Sequence, residues 1–314
     1  MIYVEMGGRC GNQLFHYAVA RYIQLKNGDN KLVLNYAPVF KEHKEAEGWY
    51  DVLAEYKTVP YTYYNKEGSV LKNETNLLQK LLVGLKAVHI KLYSNKNRQT
   101  RADKAPIGQK ILNKAGIYWI REGVDKISVG GGQRTSIVTG VCETPFIYEI
   151  QDVLQKELEP RAEVLPQNIE LYNSICNSES VCVSVRRGDF FTAENQKSFG
   201  VCSKKYYQDA KKALDEQLKN SNNIKYFVFS DDIDWCKTSL DLGKCTFVSQ
   251  NMPTYETLRL MYSCKHFIVS NSTFSWWGQF LSKNKEKIVV SPARWNNDGY
   301  NSHLIGDNWV LVDT

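Results

Sequence analysis

At 314 residues the chain is longer than one hydrophobic core comfortably serves, so two domains are expected. With 43% hydrophobic and 24% charged residues it can pack both cores, which excludes disorder over most of its length. A formal charge of +6, with basic residues spread among acidic ones, argues against a nucleic-acid binder, whose cations are usually concentrated.

The chain opens as strand, glycine loop and helix. Ile2 to Met6 reads as a strand and Gly7-Gly8-Arg9-Cys10-Gly11-Asn12-Gln13 as a loop. Phe15, Ala18, Val19, Tyr22 and Ile23 then recur at helical spacing until Gly28, and Lys31 to Tyr36 resumes as a strand. This βαβ start favours a parallel sheet. Residues 37–150 carry weaker signals. Between Asn73 and Arg101 an apolar series (Leu77, Leu78, Leu81, Leu82, Leu85, Val88, Leu92) alternates with lysines and arginines. It reads as a basic amphipathic helix, either lying on a membrane surface or packed on its own domain, the commoner arrangement. Gly130-Gly131-Gly132 marks a loop, and Glu159-Pro160 to Leu165-Pro166 a bend between domains.

From Val181 onward strands and helices alternate clearly. Strands are expected at Val181–Val185, Ile224–Phe229, Cys245–Val248, Phe267–Val269 and Ile288–Val290, with helices at Lys204–Lys219, Thr254–Lys265 and within Ser272–Ser282. Such spacing describes a second doubly wound domain. The fold class is therefore α/β, two Rossmann-like domains facing a central cleft, the GT-B architecture. The expected boundary divides the chain into residues 1–160 and 161–314. The eight cysteines form no C-x-x-C pair and have no histidine at zinc-finger spacing, so they read as buried thiols in a reducing compartment. No apolar run approaches the ~20 residues that span a bilayer. No leader-like segment precedes the first strand, and a soluble cytoplasmic protein is the expectation.

Three segments could carry chemistry. Arg186-Arg187-Gly188-Asp189 directly follows a buried strand, where open α/β sheets bind ligands. A guanidinium presents a planar fork that matches phosphate oxygens and stays charged. Beside a departing nucleoside diphosphate it would stabilise the charge that builds in the transition state. A surface arginine paired with Asp189 is the plainer reading. Ser270-Asn271-Ser272-Thr273-Phe274-Ser275-Trp276-Trp277 follows another strand and opens a helix, whose N-terminus suits an anion, although capping by Ser272 or Thr273 needs no ligand. Trp276 and Trp277 read as packing rather than sugar platforms. Asp231, Asp232 and Asp234 spell a D-x-D that could hold a divalent cation, but the arginine pair offers a competing neutralisation and makes a metal redundant.

Four motifs together resemble glycosyltransferase family 11, the α-1,2-fucosyltransferases. Gly7-Gly8-Arg9-Cys10-Gly11-Asn12-Gln13-Leu14-Phe15-His16-Tyr17-Ala18 is similar to the family's G-G-L-G-N-Q-M-F-Q-Y-A. Val185-Arg186-Arg187-Gly188-Asp189-Phe190 is similar to H-x-R-R-G-D-Y, Phe229-Ser230-Asp231-Asp232-Ile233-Asp234-Trp235 to F-S-D-D-x-x-W, and Asn271 to Trp277 to N-S-[ST]-F-S-W-W. The resemblance implies a GT-B fold, GDP-β-L-fucose as donor and co-substrate, and inversion at the anomeric carbon. It also implies no metal or other cofactor, and a terminal galactose on an oligosaccharide or lipid-linked glycan as acceptor. By the same resemblance residues 161–314 bind GDP-fucose and residues 1–160 face the acceptor. Arg186 binds the β-phosphate, Arg187 orients the loop or pairs internally, and Asp189 fixes the arginines. Ser272, Thr273, Phe274 and Ser275 hold the diphosphate, and His266 with Asp231 or Asp232 lies near the nucleotide. Asn12 matches an asparagine that lies close to fucose in the related protein O-fucosyltransferases. Two departures stand out: Ser184 replaces the family's histidine, and Arg9-Cys10 replaces a single leucine. Inversion also needs a general base; Glu194, at the spacing of the base in related core α-1,6 enzymes, and Asp189 are the candidates. Other readings are a different fucosyl linkage, another GDP-sugar, or a sugar-binding module without turnover. Peripheral contact with an inner membrane fits the basic stretch at 73–101.

Overall fold

The computed structural model describes residues 1–314 except 29, 43–48, 131, 132, 142, 143, 192–194, 197 and 198. Cys142, Gly131, Gly132 and Glu194 thus lie outside the described residues, and of Asp189 only the backbone is described. The chain forms two compact units, one of residues 1–54 and 58–154, the other of residues 55–57 and 155–314.

In the first unit five strands, β1 (Ile2–Glu5), β2 (Leu32–Asn35), β3 (Tyr61–Tyr63), β4 (Ile117–Trp119) and β5 (Ser136–Thr139), form a parallel sheet in the order β3-β2-β1-β5-β4. Parallel neighbours need crossovers, and the helix Cys10–Asn27 supplies the first between β1 and β2. That helix is buried almost all round from Cys10 to Ile23, including Gln13, His16 and Arg21. Gly28, at φ 89°, ends it in a conformation that side chains avoid. Strands β3, β4 and β5 are only three or four residues long and lie in the segment where sequence patterning is weakest.

The expected amphipathic helix is present as Leu77–Leu92, opened by a capping box between Asn76 and Gln79. A second helix, Arg98–Lys104, follows it. No helix among the described residues is long and apolar enough to cross a membrane.

In the second unit six strands, β6 (Glu179–Val185), β7 (Ile224–Ser230), β8 (Cys245–Phe247), β9 (His266–Ile268), β10 (Val289–Pro292) and β11 (Val310–Val312), form another parallel sheet. Their order is β11-β10-β9-β6-β7-β8. The chain moves outward from β6 through β7 to β8, then returns to β6's other side with β9. The direction of winding therefore reverses between β6 and β9, the kind of place at whose carboxyl edge open α/β sheets bind ligands. Val181, Val183 and Val185 of β6 pack with Tyr206, Tyr207, Ala210 and Leu214 of the helix Lys204–Gln217 into one core cluster. These two parallel α/β units give the chain the GT-B class of fold. The seven described cysteines are free thiols.

Candidate active site

The register of β6 on β7 builds the centre of the site. Val185 lies opposite Ser230, so the residues leaving each strand continue side by side. Arg186 Nη1 meets Asp231 Oδ2 at 2.8 Å, and Arg187 Nε donates to Asp232 Oδ2 at 3.1 Å. Asp231 also accepts the Arg187 backbone N–H at 2.8 Å through Oδ1, so one carboxylate holds both the first guanidinium and the turn after it. Asp232 caps the helix Ile233–Ser239 by accepting the Trp235 N–H. The Arg187 guanidinium carbon lies 3.5 Å from the centre of the Trp235 ring, and that of Arg186 lies 5.6 Å from Phe190. Among the described residues Asp231 and Asp232 are thus partners of the two guanidinium groups; the Asp189 side chain, the partner in the plainer reading, lies outside the described residues. Arg187's side chain keeps 13% exposure and Arg186's 24%. Arg187 is built inward; Arg186 retains a face toward solvent.

Gly188 begins a turn of 3-10 helix, Gly188–Phe191. A Cβ there would come within 2.6 Å of Asp231 Oδ2, so a glycine lets the loop approach the carboxylate.

The second wall follows β9. Ser272 is the N-cap residue of the helix Thr273–Leu281, yet its side chain makes no capping hydrogen bond. The first N–H groups of a helix lack intrahelical partners and carry its positive end, which suits a phosphate. Thr273 and Phe274 are half-buried there, whereas Ser275 is buried. The Ser275 hydroxyl lies 2.6 Å from Ser184 Oγ and 2.8 Å from Ser270 Oγ. The hydroxyl of Ser275, a residue expected to help hold the diphosphate, thus belongs to an internal chain that ties β6 to the helix start. Ser184, where the resembled motif carries histidine, is the other end of that chain. Asn271 donates to the carbonyls of Phe199 (2.6 Å) and Trp295 (3.1 Å), drawing two loops together. Trp276 and Trp277 are packing residues, 1% and 0% exposed. Beyond β10 a cavity of about 430 Å³ is bordered by Trp295, Tyr300, Ser302 and Trp309.

By the resemblance His266 is expected near the nucleotide. It opens β9 opposite Val181, near the start of β6, so it lies at the amino edge of the sheet rather than the carboxyl edge. Its Nε2 meets Glu179 Oε1 at 2.6 Å and its Nδ1 accepts the Ile288 N–H. Burial disfavours the Glu179 carboxylate, but hydrogen bonds from His266 and Lys265 outweigh it and lower its pKa. His266 is part of a structural clasp at the far end of the strands.

Asn12 stands in the other unit, exposed in the first turn of the helix Cys10–Asn27. Gly8, at φ 69°, admits it: a Cβ on Gly8 would lie 2.4 Å from Asn12 Nδ2. Gln13 beside it donates to the carbonyls of Gly8 and Tyr50, both at 3.0 Å, and accepts the Val52 N–H. That side chain sets the loop, a role that the G-N-Q string alone did not reveal. Trp235 and Asn271 were likewise inside quoted motifs, but their tasks depend on partners distant in sequence.

The profile of Glycosyl transferase family 11 matches residues 1–313. A similar sequence is the alpha-1,2-colitosyltransferase of Escherichia coli, 36% identical over 152 residues, covering 46% of this chain and 51% of that protein. The O-antigen biosynthesis glycosyltransferase WbnK of Escherichia coli is 26% identical over 98% of this chain and 99% of its own length. The galactoside alpha-(1,2)-fucosyltransferase 1 of Saimiri boliviensis boliviensis is 23% identical over 45% of this chain and 41% of its own. The alignments thus span about half the length of the first of these relatives and less of the third. Among solved structures, the fucosyltransferase NodZ from Bradyrhizobium shares the fold, with a TM-score of 0.51 at 12% identity over 89% of this chain and 92% of that one. The profile match over nearly every residue shows that the chain belongs to glycosyltransferase family 11.

Proposed function

We propose that the protein transfers L-fucose from GDP-β-L-fucose, with inversion, to the 2-hydroxyl of a terminal galactose in a glycan such as an O-antigen or capsular repeat, in the cytoplasm. The observation that carries this reading is the Arg186 guanidinium, held by Asp231 just after β6, while the Thr273–Leu281 helix opens after the neighbouring parallel strand β9. A diphosphate lodged there meets a fixed cation on one side and helix N–H groups on the other. Both stabilise the leaving group most strongly once the glycosidic bond has begun to break. Arg187, stacked on Trp235, keeps the loop in place, and the cavity beyond β10 is of a size for the nucleoside. Asn12 serves the fucose side. The acceptor proton passes to a carboxylate, with Asp189 and Glu194 retained as the candidates. No metal is needed in this scheme, because Asp231 and Asp232 are turned to the arginines.

Incubation with GDP-β-L-fucose and a panel of terminal galactosides, read by GDP release and by NMR of the product linkage, tests the proposal. An α-1,2-fucosyl product formed at the same rate in EDTA supports it. Activity lost to EDTA and restored by Mn²⁺ removes the metal-free mechanism. Hydrolysis or transfer at a different hydroxyl removes the linkage. A second reading, colitose as the transferred sugar, is favoured by the similarity to the colitosyltransferase. Colitose lacks the 3-hydroxyl of fucose, so turnover with GDP-colitose in preference to GDP-fucose decides for it.

A further inference from the structure

The helix Leu77–Leu92 turns the wrong way round for a helix packed on its own domain. Leu77, Leu78, Leu81, Leu85, Val88 and Leu92 are 86%, 62%, 60%, 60%, 59% and 71% exposed. At 100° per residue these six occupy one continuous arc of about 100°, with no polar residue inside it. The opposite side carries the polar residues inward. Gln79 Nε2 donates to the Ala115 carbonyl at 2.7 Å, and Lys86 Nζ donates to the carbonyls of Ala105 (2.5 Å) and Ile107 (2.7 Å). Leu82 and Val83, beside them, reach the small core of Val70, Leu112, Ile117 and Ile137. The helix is therefore locked by the Asn76–Gln79 capping box and by the buried lysine, with its leucines outward. An apolar surface of this kind on a water-soluble fold marks a contact site.

The surrounding charge says what it contacts. Between Glu74 and Asp103 the sequence has no acidic residue but six cations, Lys80, Lys86, Lys91, Lys96, Arg98 and Arg101. Lys86 is buried and Arg98 pairs with Glu122, which leaves Lys80, Lys91, Lys96 and Arg101 exposed around an apolar stripe. Two copies meeting through this face about a twofold axis would set cation against cation. A bilayer bearing anionic headgroups accepts leucines into its interface and lysines at its surface. We propose that the Leu77–Leu92 face docks the protein on an anionic lipid bilayer, the helix lying in the plane of the interface. The inference is independent of the reaction assigned above, and its test does not read activity.

Flotation of the full-length protein with vesicles of phosphatidylglycerol and phosphatidylcholine, against phosphatidylcholine alone, tests it. Binding to the anionic vesicles, weakened by high salt and reduced more than ~10-fold in Leu81→Glu/Leu85→Glu, is expected. Both substitutions lie at exposed positions, and an unchanged circular dichroism spectrum and melting temperature would show the fold intact. Should that variant misfold, Lys80→Glu/Lys91→Glu serves in its place, with a loss of ~5-fold per lysine expected. The proposal is overturned if anionic vesicles do not bind the protein or bind both variants as well as wild type. It is equally overturned if light scattering shows a dimer that Leu81→Glu/Leu85→Glu converts to monomer.

Discussion

Gly188 and Asp231 are in a relationship that tolerates no side chain between them: a Cβ on the glycine would stand 2.6 Å from the carboxylate oxygen that pairs with Arg186. Asp231 cannot retreat cheaply, since its other oxygen accepts the Arg187 N–H. Gly188→Ala is therefore expected to shift the carboxylate and release Arg186. Activity should fall ~10–100-fold while stability falls by only ~1–3 kcal/mol, measured by steady-state rates and chemical denaturation. A variant with wild-type turnover would show that the loop relaxes without disturbing the arginine.

Removing the cation itself should cost more. For Arg186→Ala a decrease of ~10²–10³-fold in kcat is expected with the melting temperature little changed, because the side chain keeps a solvent face. Arg186→Lys should recover only part of the rate, a point charge replacing the planar fork. Isotope-free GDP-release kinetics on the three proteins suffice, and equal rates would exclude Arg186 from leaving-group stabilisation.

Arg187 should behave in the opposite way. Its guanidinium carbon lies 3.5 Å from the centre of the Trp235 ring and its Nε donates to Asp232, the cap of the next helix. Trp235→Ala is expected to lower stability by ~2–4 kcal/mol through lost packing and stacking, and activity through the displaced loop. Thermal melts on the variant, with and without GDP, check this.

The hydroxyl chain Ser184–Ser275–Ser270 begins at the position where the resembled motif carries a histidine. Ser275→Ala leaves two buried hydroxyls short of a partner, and a loss of ~1–3 kcal/mol is expected in urea denaturation. Ser184→Thr, which keeps a hydroxyl, should lose less. The same loss in both would place the effect in packing.

His16 provides a pH signature. It is buried in the helix Cys10–Asn27, its Nδ1 has no partner among the described residues, and burial pushes its pKa from 6.5 down to about 4. The unfolded chain therefore takes up the proton first. Stability attributable to neutral His16 is complete above about 6.5 and declines as the pH falls toward about 4, by ~2–3 kcal/mol in all. His16→Gln, the residue of the resembled motif, should flatten that slope in denaturation curves measured across this interval. An unaltered slope would assign it to other groups.

Much of the architecture could be read from residue order alone. The glycine loop ahead of Phe15, Ala18 and Val19 announces the first βαβ unit, and the regular alternation after Val181 announces the second sheet, since buried parallel strands leave compact apolar runs. The four motifs likewise marked Arg186, Asp231 and Ser272 together. Other features depended on three-dimensional placement. Strands β3 and β4 lie where no regular alternation of strands and helices flanks them, and β3 is largely exposed rather than a buried apolar run; they are strands because neighbours complete their hydrogen bonds. Whether His266 stood at the carboxyl or the amino edge was set by its register against Val181. Ser275 lost its hydroxyl to Ser184, a residue 91 positions away. The apolar series of six leucines and Val88 from Leu77 announced an apolar face but not its direction; Lys86, satisfied by two carbonyls from another segment, turned that face outward. Periodicity reports which residues share a side, and only the partners brought from elsewhere in the chain decide which side is buried.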